Sequence, residues 1–110
     1  MRTAAKYRRR GMAVDLSFCV VNTEQRELLL RCLDAIAAER ERLALQTEVL
    51  VLDNGSRDGS AEAARRHPAT TQLIALERRR GKGENDSALL QGARGRYCLL
   101  LNEDLSLIHI

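Results

Sequence analysis

Four short apolar runs alternate with helix-patterned segments, and that alternation leaves the chain few folds to adopt. Leu16-Ser-Phe-Cys-Val-Val21 is almost continuously apolar, as a strand is when both faces of its sheet are covered. Asn22 and Thr23 end it, and Thr23 is placed to cap the next helix. Across residues 26–43, Leu29, Leu33, Ile36 and Leu43 keep the three-to-four spacing of one helical face, while Arg31, Asp34, Glu39 and Arg42 fall mostly elsewhere. Glu48-Val-Leu-Val-Leu52 reads as a second strand, followed by the turn cluster Asp53-Asn-Gly-Ser-Arg-Asp-Gly-Ser60. Asp58 is a good N-cap for a short helix from Gly59 to His67, which Pro68 stops. Gln72-Leu-Ile-Ala-Leu76 is a third strand, and Arg78-Arg-Arg-Gly-Lys-Gly83 is a basic, glycine-punctuated loop. Residues 84–93 form a helix with Ala88, Leu89 and Leu90 inward, ended near Gly92 and Gly95, and Tyr97 to Leu101 is the fourth strand.

The order βαβαβαβ predicts an α/β three-layer sandwich around a parallel, Rossmann-like sheet with right-handed crossovers. The expected strand order is 3-2-1-4. In such sheets ligands bind outside the carboxyl ends of the strands. Asp53 closes the second run, and Asn102-Glu103-Asp104 comes after the fourth, so carboxylates fall on that rim from two directions. A pair of this kind suits a divalent metal and a nucleotide-linked substrate.

Composition bounds the rest. With 110 residues there is room for one small domain, and with aromatics at 3% the core must be built from Leu, Val and Ala. The net charge of +3 is uneven. Arg2, Lys6, Arg8, Arg9 and Arg10 put five positive charges and no acid in the first ten residues, leaving −2 for the remainder. A basic tail on a mildly acidic body is not a nucleic-acid-binding surface. Residues 1–14 are therefore expected to be a disordered basic tail, and Met12 is an alternative start, since the organised pattern begins after it. Cys19, Cys32 and Cys98 are odd in number, lack CxxC spacing and sit at apolar positions, as small buried hydrophobes do in a reducing compartment. No apolar stretch approaches the roughly 20 residues that span a bilayer, and no secretory leader is visible. The expected location is the cytoplasm, or the inner face of the membrane. Residues 105–110 read as a truncation edge or as non-native.

From about Asp15 to Asp104 the chain resembles the N-terminal, donor-binding half of family 2 glycosyltransferases, which have a GT-A fold. Val-Val-Asn-Thr at the end of the first strand is similar to the family's opening strand, and residues 51–60 resemble its V-D-[DN]-G-S-x-D-G-[ST] signature. Gly81-Lys-Gly83 followed by Ala93-Arg-Gly-Arg-Tyr97 resembles its glycine loop, helix and A-R-G-x-Y segment. Leu-Leu-Asn-Glu-Asp104 stands where the family has its DxD-like motif. Each piece alone is weak, but four in the right order and spacing are specific.

The resemblance implies an incomplete GT-A domain over residues 15–104 that binds a nucleotide diphosphate sugar and Mg²⁺ or Mn²⁺. It implies that Asp53 accepts the imide N–H of a uracil-type base, where an unpaired buried acceptor would cost about 1–3 kcal/mol. Against this stands the ordinary reading of Asp53 as a turn residue bonding its own loop. Asp104 becomes a metal ligand, with Asn102 beside it bringing an amide oxygen but no charge where the family has its first Asp. Glu103, Val21, Thr23 and Glu24 join the substrate-binding set, Lys82 reaches the diphosphate, and Asp86 faces the sugar or the ribose. The bland alternative for Arg78, Arg79, Arg80 and Lys82 is a solvated basic loop. Asp58 reads as structural, and His67 as a helix-end residue meeting the dipole. An inverting transfer needs a carboxylate to deprotonate the acceptor. Asp34 and Glu39 lie on the wrong helix and nothing after Asp104 supplies one, so no catalytic residue is assigned and the last strand's edge is expected to stay unpaired. The acceptor would be a glycan, a lipid-linked species or a small molecule.

Two rival classes lack their signatures. A nucleotidyltransferase would carry a glycine-rich basic loop after its first strand, where this chain has Asn22-Thr-Glu-Gln-Arg26. A receiver-like, non-enzymatic α/β binding module would need an acidic cluster after that strand, whereas Asp15 precedes it.

Overall fold

The computed structural model describes residues 14–102, with side chains for 14–101, and the backbone of residues 3–8. Its elements are β1 (Thr3–Arg8), β2 (Val14–Asn22), α1 (Arg26–Arg42), β3 (Thr47–Asp53), α2 (Ser60–Arg66), β4 (Gln72–Ala75), α3 (Lys82–Gly92) and β5 (Gly95–Asn102). They build one five-stranded sheet in the order β1-β5-β2-β3-β4. β2, β3, β4 and β5 are mutually parallel, and β1 runs antiparallel to β5. Setting β1 aside, this is the 3-2-1-4 order expected from the sequence.

The near-continuous apolar runs result from burial on two faces. Along β2, Phe18 and Val20 pack with Leu29, Cys32, Leu33 and Ile36 of α1 and Ala64 of α2. The alternate residue Cys19 points the other way, into a cluster with Leu50, Leu52, Leu89 of α3, Cys98 and Leu100. Side chains alternate along a strand, so one run feeds both layers. The result is α1 and α2 on one face and α3 on the other. All three cysteines are buried in these layers.

Four expectations are corrected. The segment read as a disordered basic tail forms β1 over Thr3–Arg8, in register with β5 from Thr3 opposite Leu101 to Arg8 opposite Tyr97. The outer edge of β5 is therefore paired, where it was expected to be open. Its row of N–H and C=O groups is a template for any extended segment, and basic residues are ordinary on edge strands. Thr23 does not cap α1: the N–H of Arg26, first residue of that helix, donates to Asp58 Oδ2 at 3.0 Å. The third helix begins at Lys82, two residues early, with Lys82 and Asp86 paired one turn apart at 2.5 Å. No described helix is long and apolar enough to cross a membrane.

Candidate functional site

The parallel strands end together on one rim. Asn22, last in β2, is opposite Asp53, last in β3, and Val21 is opposite Asn102, last in β5. The loops leaving β2, β3 and β4 carry Thr23, Glu24, Asp58 and Arg78 to Arg80, while Lys82 and Asp86 stand on α3.

Asp53 is 2% exposed. Its Oδ1 accepts from Asn22 Nδ2 at 3.0 Å and its Oδ2 from the N–H of Ser56 at 3.0 Å. The second of these bonds is the one a turn acid makes to its own loop. The first fixes the orientation of the Asn22 amide, whose Oδ1 is buried without a partner among the described residues. Val21 is half-buried against the α3-side core. Thr23 Oγ1 accepts from Asn54 Nδ2 at 3.2 Å.

Asn54, which sequence reading passed over, ties three loops together. Its amide nitrogen donates to Thr23 and to the carbonyl of Arg80, and its Oδ1 accepts from the N–H of Arg80 at 2.8 Å. Gly55 next to it has φ +70°, and a Cβ there would meet Arg79 N at 3.1 Å, so a side chain at this position would be strained and would crowd the loop after β4. The one local sign of this hub was the Asn-Gly pair, a turn signal.

Glu24 Oε2 accepts from the N–H of Arg57 at 2.8 Å and from the guanidinium of Arg79 at 3.1 Å. Asp58 holds the starts of two helices. It accepts from Arg26 N, from Ser60 N at 3.0 Å and, through a short contact, from the Ser60 hydroxyl. Burial pushes the Asp58 carboxyl up, but the bonds from Ser60 and Arg26 outweigh it and hold the group below its ordinary value. Its role is structural, as the sequence suggested, although it serves α1 as well as α2, and Gly59 stands at the N-cap position of α2.

Arg78, Arg79 and Arg80 are exposed. Arg80 Nε donates to the buried Asn85 Oδ1 at 3.2 Å. Lys82 is bound to Asp86, and the two side chains are 66% and 21% exposed. A depression of about 470 Å³ lies between the loops after β3 and β4, lined by Gly55, Arg57, Glu77, Arg78 and Arg79. His67 stands away from the rim, its Nε2 2.7 Å from Asp34 Oδ1 and its Nδ1 accepting from Ala69 N. Glu103, Asp104 and the side chain of Asn102 lie outside the described residues. Among the described residues there is no group of three or more His, Cys, Asp or Glu that could hold a metal ion.

The opposite rim carries a second polar centre that sequence reading also missed. Glu48, 1% exposed, accepts from Ser17 Oγ at 2.6 Å, from Arg94 N at 2.5 Å and from Arg94 Nε at 3.2 Å. Burial raises its pKa, and the bonds from Ser17 and Arg94 outweigh that, so the net shift is downward. It fastens the α3–β5 junction to β2 and β3.

Solved structures share this fold. The mannosyltransferase from Pyrobaculum calidifontis, solved with GDP-Man and Mn²⁺, superposes with a TM-score of 0.68 at 26% identity, over 86% of this chain and 30% of that one. Mannosyl-3-phosphoglycerate synthase from Rubrobacter xylanophilus gives 0.74 at 24% identity, over 87% and 32%. Glucosyl-3-phosphoglycerate synthase from Mycobacterium tuberculosis, with Mn²⁺, UDP and glucosyl-3-phosphoglycerate, gives 0.66 at 20%, over 83% and 34%. The last two likenesses bear on the fold alone, and the chain spans about a third of each of these proteins. No curated protein sequence matches it. The family model for glycosyl transferase family 2 matches residues 17–108, from β2 through the end of β5 and beyond, and the chain belongs to that family.

Proposed function

We propose that this chain is the donor-binding half of an inverting glycosyltransferase that takes a sugar from a nucleotide diphosphate sugar, UDP- or dTDP-linked. The acceptor is a glycan, a lipid-linked species or a small molecule, and it and the catalytic base are held by parts of the protein other than residues 15–104. One observation carries the reading. The strand ending in Asp53 and the strand leading to Asp104 flank the same strand, β2, and end level with it.

On this reading Asp53 receives the imide N–H of the base. Two of the roughly four lone-pair sites of its carboxylate are engaged, so acceptor capacity remains. Val21, Thr23 and Glu24 shape the base side of the mouth. Lys82 turns from Asp86 to the diphosphate, an inexpensive exchange because the lysine is exposed. Asp86, once released, is free to bond a sugar or ribose hydroxyl. Glu103 adds a further acceptor. Asn102 and Asp104 offer an amide and a carboxylate oxygen, hard donors that fit Mg²⁺ or Mn²⁺. When bound, the cation neutralises charge on the departing diphosphate. The apolar burial of all three cysteines suits the cytoplasm or the inner face of the membrane as the working compartment.

Thermal unfolding with UDP, dTDP or GDP, with and without Mn²⁺, tests this. A ligand at about 100 times its Kd stabilises by about 2.7 kcal/mol. The expected result is stabilisation by one nucleotide that needs Mn²⁺ and disappears in Asp104→Ala. Equal indifference to all three nucleotides would sink the proposal.

A further inference from the structure

Glu24 has a φ of 53°, the one positive value for a non-glycine residue among those described. That region crowds Cβ against the following carbonyl, and Asn or Gly is its usual occupant. Three hydrogen bonds hold the glutamate here. Oε2 takes both the Arg57 N–H and the Arg79 guanidinium, while the Glu24 N–H donates to Ser56 Oγ at 2.8 Å. A single residue after β2 thus clamps the loops that leave β3 and β4. Arg79 is otherwise exposed at 59% and stands on the depression it shares with Gly55, Arg57 and Arg78. The loop carrying Gly55 and Arg57 begins at Asp53. One bond to Glu24 leaves most of the five guanidinium N–H donors available. Fixing a long flexible side chain before a ligand arrives removes an entropic cost of binding.

We propose that Glu24 is a positioning residue, which holds the Arg79 guanidinium at the Asp53 end of the rim so that its remaining donors meet an oxygen of the bound nucleotide. This rests on the reading of the rim as a nucleotide site, and it gives Glu24 a different task from direct substrate contact. The oxygen belongs either to a base carbonyl or to the diphosphate, both of which suit a guanidinium fork.

Calorimetric titration of the full chain with UDP and GDP, each with Mn²⁺, tests the proposal. Glu24→Gln keeps the length and removes the charge. It is expected to weaken whichever nucleotide binds by about fivefold. Arg79→Ala should weaken it at least as much, and the double variant should be no weaker than Arg79→Ala alone. Glu24→Asn suits the left-handed backbone, so it should match or exceed the parent melting temperature while still losing affinity, which separates positioning from folding. Uridine and pyrophosphate, titrated separately, locate the oxygen: the probe that loses affinity in Glu24→Gln carries it, and either result supports the proposal. Unchanged nucleotide affinity in Glu24→Gln, or losses that simply add in the double variant, would overturn it and leave nucleotide binding standing. A parent chain that binds neither UDP nor GDP would overturn both.

Discussion

At Gly95 the backbone of β5 passes so close to β2 that a methyl group would meet Ser17 N at 2.6 Å as well as the Ser17 hydroxyl, and it would also meet Tyr97 O of β5 itself at 2.8 Å. The Gly95 N–H donates to that hydroxyl at 2.8 Å, and the hydroxyl donates to Glu48. The Ala-Arg-Gly-Arg-Tyr segment is thus a packing device: Arg94 answers Glu48, and Gly95 makes room for the approach. Because the clash is with backbone, Gly95→Ala should cost at least about 1–3 kcal/mol, the usual range for overpacking. Urea unfolding measures it, and a loss under about 0.5 kcal/mol, the size of a neutral surface change, would contradict this account. Asp58 is a second case. One carboxylate satisfies the first N–H of α1 and the first N–H of α2. Asp58→Ala removes both at once, so its cost should reach the upper end of the range for one cap, about 2 kcal/mol. If the loss is only about 0.5 kcal/mol by the same measurement, the two helix starts do not depend on this side chain.

Among the elements, the four parallel strands and three helices were legible because their signals are local. Each apolar run and each helical face is complete within a few turns of sequence. β1 was not legible. Its composition carries the sign of a solvated tail, and what makes it a strand is the open edge of β5, whose paired residues lie 89 to 98 positions away along the chain. The rim divides in the same way. Asp53 and Asp58 stood out because turn and cap chemistry is local. Asn54 did not, because its partners Thr23 and Arg80 are 31 and 26 residues distant. Glu48 looked like an ordinary first residue of a strand, since Ser17 and Arg94 lie 31 and 46 residues from it. Pairing by β1 has a measurable consequence. Removing residues 1–10 should expose the edge of β5, lower the melting temperature and cause self-association, seen as a concentration-dependent rise in apparent mass. A shortened chain that stays monomeric at unchanged stability would show that the edge does not need β1.

On the scale of the whole molecule, two lowered carboxyls sit at opposite ends of the sheet, Glu48 at one rim and Asp58 at the other. A carboxyl whose folded pKa lies below its unfolded value stabilises the fold in its ionised form. That contribution is complete above the ordinary values, 4.5 for Glu48 and 3.8 for Asp58, and is lost as pH falls through the lower folded ones. The free energy of unfolding should therefore stay level from neutrality to about pH 5 and fall steeply below it. Glu62 is also lowered, mainly by its bond to Arg65, but it is exposed and its pairs with Arg65 and Arg66 are open to salt. Salt should thus blunt the Glu62 part and spare the Glu48 part, whose carboxylate is screened by the protein around it. Glu48→Gln separates the two. It should lower stability at neutral pH, because Ser17 and the Arg94 N–H lose an ionised acceptor, and it should flatten the acid slope in high salt far more than in the parent chain. Denaturant unfolding at a series of pH values reads both effects. If Glu48→Gln keeps the parent's acid slope in high salt, the buried acid is not what couples this fold to pH.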